Sequence, residues 1–125
     1  MRFLCLIHLN EKELDAMPAD ELNSLNARHL EFNNGLRKSG HFIEAEALEP
    51  AAATARVRVR QGKTTTIVDG PFAETKEIVA GFYLIEARDL REATQIASKI
   101  PSAPLATIEV RETRKLIVDG VARDA

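Results

Sequence analysis

Ile78-Val79-Ala80-Gly81-Phe82-Tyr83-Leu84-Ile85-Glu86-Ala87 is the stretch on which the fold turns. A strand alternates its side chains between two faces, and this one carries apolar residues on both. Such a strand sits in the middle of a sheet and is covered above and below. Arg2 to Leu9 repeats the pattern, with Phe3, Cys5, Ile7 and Leu9 on one face and Leu4 and Leu6 on the other. The chain therefore has two central strands, one at its start and one two-thirds of the way along.

The intervening segments are also readable. Met17-Pro18-Ala19-Asp20-Glu21 is a helix start, with proline and early acids. Leu22, Leu25, His29, Phe32 and Leu36 follow at spacings of three and four, and Gly40 marks the end of that helix. Phe42 to Leu48 reads as a short strand, followed by Pro50 and an alanine run. Ala55-Arg56-Val57-Arg58-Val59-Arg60 alternates strictly and presents one arginine face. Gln61-Gly62-Lys63 turns it into Thr64 to Val68 as a hairpin. Beyond Ala87, Asp89 caps a helix with inner face Leu90, Ala93, Ile96, Ala97 and Ile100, and Pro101 ends it. Thr107 to Val110 is a further strand. Leu116-Ile117-Val118 is a short last one, and the tail beyond Gly120 is expected to fray.

The order strand, helix, strand, hairpin, strand, helix, strand is the split β-α-β pattern of an α+β, ferredoxin-like sandwich with an added hairpin. Two helices cover one face of its sheet. The other face of the central strands is apolar as well, so a second copy of the sheet is expected to cover it in a homodimer. Residues 1–113 are expected to form one domain and 114–125 a C-terminal extension containing the short strand.

Bulk properties narrow the function. The chain has 125 residues, 45% hydrophobic and 29% charged, with a formal net charge of −2. That suits one domain with a modest core, and it provides no global basic field for nucleic acid or anionic lipid. No run approaches the ~20 apolar residues of a membrane span. The N-terminus lacks the long apolar segment and cleavage site of a signal peptide. The single Cys5 has no internal partner and reads as a buried hydrophobe in a reducing compartment, which points to the cytoplasm. No dinucleotide fingerprint, phosphate loop or serine nucleophile elbow is present, so no cofactor is expected. Cys5 and His8 are three apart and point to opposite faces of a strand, so no metal site is expected there.

Between Thr66-Ile67-Val68 and the deciding strand lies Asp69-Gly70-Pro71-Phe72-Ala73-Glu74-Thr75-Lys76-Glu77. Glycine next to proline restricts the backbone, and a connection held in one shape can carry positioned carboxylates. Asp69 has a structural role available, accepting hydrogen bonds from the amides that follow it. Ile67-Val68-Asp69-Gly70 is echoed at Ile117-Val118-Asp119-Gly120, and both read as strand ends entering turns.

This loop, with Ala80-Gly81-Phe82-Tyr83-Leu84-Ile85 after it, resembles the signature of the YCII-related family, in the branch called the DGPF domain after these letters. The resemblance runs from the first strand to Glu109-Val110-Arg111. It implies the dimeric ferredoxin-like α/β-barrel architecture. Relatives in the wider family include enzymes acting on small aromatic ring compounds such as chlorinated hydroquinones. The DGPF branch occurs near or fused to sigma-70-type transcription factors. The family's helix histidine matches His29, in Arg28-His29-Leu30. Its usual aspartate, just before a proline after the second helix, falls on Ile100 here, and Asp69 is the candidate replacement.

His29 and Asp69 are thus the candidate catalytic pair, and Phe72 and Glu74 are candidate pocket residues. A histidine titrating near ~6.5 can act as acid or base, and a neighbouring carboxylate would orient it and favour its charged form. The competing account of His29 is a histidine hydrogen-bonded at the core edge. Arg56, Arg58 and Arg60 offer an anion site, or simply a charge-protected exposed strand. Two functional classes stay open. One is a cofactor-independent acid–base enzyme on a small molecule. The other is a non-catalytic ligand-binding or protein-interaction module linked to transcription.

Overall fold

The computed structural model describes residues 1–68 and 77–125. In chain order the elements are β1 (Arg2–Leu9), α1 (Glu11–Asp15), α2 (Ala19–Ser39), β2 (Phe42–Ala47), β3 (Ala55–Arg60), β4 (Lys63–Val68), β5 (Ile78–Glu86), α3 (Leu90–Ala97), β6 (Ala106–Glu112), β7 (Leu116–Val118) and β8 (Val121–Arg123). β2, β5, β1 and β6 form one four-stranded sheet in that order. Its neighbouring strands all run antiparallel. With the β3–β4 hairpin set aside, this is the ferredoxin-like order, with the two doubly apolar strands in the centre.

The alternation in β1 explains the core. Phe3, Cys5, Ile7 and Leu9 are all buried, as are Tyr83 and Ile85 on β5. Register stacks Phe3 against Ile85 and Cys5 against Tyr83. Leu36 of α2 and Ala93, Ala97 and Ile100 of the α3 region close over them. Each large side chain sealed in this way contributes about 1.5–3 kcal/mol relative to exposure. Gly40 ends α2 in the left-handed region at φ 81°, and the Asp89 carboxylate accepts the amide of Glu92 at 2.8 Å at the start of α3.

β5 is not a uniform strand. Its pairing with β1 shifts between Ile7 and His8, so Gly81 faces Ile7, Val79 faces His8, and Ala80 is the extra residue. The bulge turns Ile78 to the side of its partner Leu9, on the helix-covered face. Gly81 is required here because a Cβ would stand 2.7 Å from the Glu46 carbonyl oxygen of β2.

Several expectations change. α1 is an additional short helix, nucleated by Asn10, whose Oδ1 accepts the Lys12 amide at 2.9 Å. Leu90 does not join the inner face of α3; it is 55% exposed. α3 ends at Ala97, before Pro101. The tail past Gly120 pairs as β8 with β7 instead of fraying, because Asp119 and Gly120 both adopt positive φ and form a tight hairpin turn. Gln61 and Gly62 do the same between β3 and β4, and Lys63 is already in the strand.

Candidate functional site

The inward stripe of α2, Leu22, Leu25, His29, Phe32 and Leu36, keeps spacings of three and four, and its one polar member, His29, marks the site. Leu25 is buried, His29 one turn later is half-buried, and Leu36 is buried again. His29 lies over the middle of β5. Its Nδ1 is 2.7 Å from the Tyr83 hydroxyl. The two rings are near-parallel, at 24° and 6.0 Å between centroids. Phe32 meets Tyr83 edge-on at 5.7 Å, fixing the phenol from the other side.

This pair stands on the wall of a cavity of about 500 Å³ between α2, α1 and the β2–β5 edge. The size is that of a small-molecule site. Ile7, Leu9, Leu22, Leu25, Ala45 and Ile78 supply apolar wall. The β5 bulge matters here, because it brings Ile78 and Ala80 to the lining. Glu11 and Asp15 of α1 belong to the same lining. The Glu11 carboxylate accepts the Ala51 amide at 3.0 Å, tying α1 to the segment after β2.

Electrostatics keep the pair uncharged. Burial, and secondarily the Arg28 guanidinium, hold His29 below the usual imidazole range. Burial pushes the Tyr83 phenol up to about 12. A neutral imidazole thus shares a short hydrogen bond with a neutral phenol. Two further cavity residues carry buried polar atoms without hydrogen-bond partners among the described residues, Asn33 Oδ1 and Ser102 Oγ.

Of the residues expected at the site, His29 is placed at the cavity. Asp69, Phe72 and Glu74 lie outside the described residues. Among the described residues, the hydrogen-bond partner of His29 is the Tyr83 phenol, and burial, then Arg28, shifts His29 toward its neutral form. Ile100 is a core residue, 2% exposed. Ser102, two residues further on, belongs to the cavity lining. Tyr83, Asn33 and Ser102 were missed. The available signals were the chain's single tyrosine in a central strand and an asparagine four residues after His29.

Elsewhere, His8 Nε2 pairs with Glu109 Oε1 at 3.1 Å on the sheet face away from the helices. Ser39 Oγ is 2.7 Å from His41 Nδ1, and His41 Nε2 lies 3.3 Å from Glu92, clamping the end of α2 to α3. Arg56, Arg58 and Arg60 lie on an exposed strand of the β3–β4 hairpin. No group of three or more His, Cys, Asp or Glu among the described residues is placed to hold a metal ion.

A family model described as the YCII-related domain matches residues 1–117. An uncharacterised protein of Rhizobium meliloti (strain 1021) is 34% identical over 96 residues, which cover 77% of this chain and 71% of that protein. Among solved structures, the chain is similar to a 5-chloro-2-hydroxyhydroquinone dehydrochlorinase from Burkholderia phenoliruptrix AC1100 in complex with 2,5-dihydroxybenzoquinone. That match has 16% identity, covers 92% of this chain and 95% of the other, and has a TM-score of 0.49.

Proposed function

This chain belongs to the YCII-related domain family, and from that premise we propose that the cavity beneath α2 is a small-molecule site in which His29 performs general acid–base chemistry. One observation carries the reading: the 2.7 Å contact between His29 and Tyr83 at the wall of an apolar cavity. When Nδ1–H donates to the Tyr83 oxygen, the lone pair of Nε2 becomes the base. The phenol stays protonated and holds the tautomer. Neutral His29 takes a proton from the substrate and returns it later in the cycle, and the low-polarity wall keeps water from competing. From the sequence resemblance alone, Asp69 is the proposed carboxylate partner of this histidine, and Phe72 and Glu74 are proposed pocket residues.

The test is a turnover screen of small ring compounds and small acids with wild type and His29→Ala. Turnover lost in the variant supports the assignment, and equal turnover removes His29 from the mechanism. Compounds that bind wild type without being turned over would favour the non-catalytic ligand-binding module.

The second copy of the chain belongs to the same proposal. Leu4, Leu6, Phe82 and Leu84 line the sheet face opposite the helices, and Val79 there is 37% exposed. A sheet-to-sheet homodimer removes this apolar face from water. Sedimentation at micromolar concentration decides it, and a monomer would sink it.

A further inference from the structure

We infer that the cavity selects a neutral ligand bearing hydroxyl or N–H donors, held by Asn33 and Ser102, and discriminates against anions. The inference rests on reading this cavity as the ligand site, and it adds the chemical class of the ligand and two residues that choose it.

Charge is the first ground. No Lys or Arg is among the described lining residues, while Glu11 and Asp15 are. His29 is biased toward its neutral form by burial. A carboxylate or phosphate entering this cavity would shed water and meet no Lys or Arg of the described lining, which is costly.

Unmet hydrogen bonding is the second ground. Ser102 is 3% exposed, and its hydroxyl has no hydrogen-bond partner among the described residues. Asn33 Oδ1 is likewise buried and has no partner among the described residues. Both residues line the cavity. Buried polar groups in folded proteins are nearly always paired, and an exception calls for an explanation, of which a bond completed by a bound molecule is one. Both oxygens are sealed in this structure, and a turn about χ1 of Ser102 and about χ2 of Asn33 is required to bring them to the ligand. A carboxamide oxygen only accepts, so the ligand must donate to it, and the serine hydroxyl can do either. Asn33 is one helical turn from His29, so a ligand anchored by Asn33 lies beside the acid–base residue.

The test uses three shape-matched probes that are transparent where tyrosine absorbs: cyclohexane-1,3-diol, its dimethyl ether and cyclohexane-1,3-dicarboxylate. The chain has one tyrosine and no tryptophan, so emission from Tyr83 reports occupancy of this cavity. The diol is expected to bind at least about tenfold more tightly than either other probe. Ser102→Ala and Asn33→Leu should each weaken the diol about tenfold, the worth of one buried hydrogen bond, and leave the dimethyl ether unchanged. The melting temperature of Ser102→Ala should be unchanged or raised, because the substitution removes an unpaired buried hydroxyl; this separates lost binding from lost folding. Diol binding unaffected by both substitutions, or dicarboxylate binding as tight as the diol, overturns the inference while leaving the role of His29 intact. No binding of any probe to wild type overturns both the inference and the cavity assignment.

Discussion

The imidazole Nδ1 of His29 and the phenolic oxygen of Tyr83, 54 residues apart in sequence, are 2.7 Å apart across the interface between α2 and β5. Removing the hydroxyl should matter in two ways. Tyr83→Phe leaves a buried ring nitrogen without its partner, costing about 1 kcal/mol of stability in denaturant titration. It also frees the tautomer, so turnover should fall about tenfold or more with little change in KM. Unchanged turnover would make the contact purely structural.

Stability should depend on pH through His29. Its folded-state pKa is lowered by burial and then by Arg28. In that case the unfolded chain binds a proton more readily than the folded one. The contribution of His29 is therefore fully present above the unfolded value near ~6.5 and is lost as pH falls through the lower folded value. Melting curves of His29→Gln should lose part of the wild-type drop between pH 7 and the acid range. Parallel curves would contradict the assignment.

Cys5 is fully buried, and burial raises its thiol from 9.0 to about 11. The loss of thiolate alone slows its reaction with a disulfide reagent about a hundredfold, before access is considered. Native protein should react far more slowly than protein in denaturant, where one thiol appears promptly. Rapid native labelling would place Cys5 outside the core.

Gly81→Ala should destabilise the sheet by about 1–3 kcal/mol, since the new methyl group would stand 2.7 Å from the Glu46 carbonyl. It should also disturb the cavity rim at Ala45 and Ala80. A variant with wild-type stability would show that β2 yields easily there.

Much of the frame was legible because it rests on local periodicity. The doubly apolar β1 and β5, the stripe through Leu25, His29 and Leu36, and the caps at Gly40 and Asp89 are each written within one element. The short helix α1 was not, because five residues carry no period and only Asn10 signals its start. Nor was the partner of His29. It depends on β-sheet register, including the bulge at Ala80, and on where α2 crosses β5, neither of which is encoded locally. Ser102 was overlooked for a related reason: a serine after a proline reads as a surface turn, yet the packing of Ile100 draws it inside.

Neutral His29 is the proposed proton-transferring group of this cavity. The direct measurement is the pH profile of kcat/KM for the first compound turned over, in wild type and His29→Gln. Wild type should show an acid limb with an apparent pKa below ~6.5, the ordinary imidazole value. In His29→Gln that limb should disappear along with about a hundredfold of the rate. An unchanged acid limb and rate in the variant would contradict it.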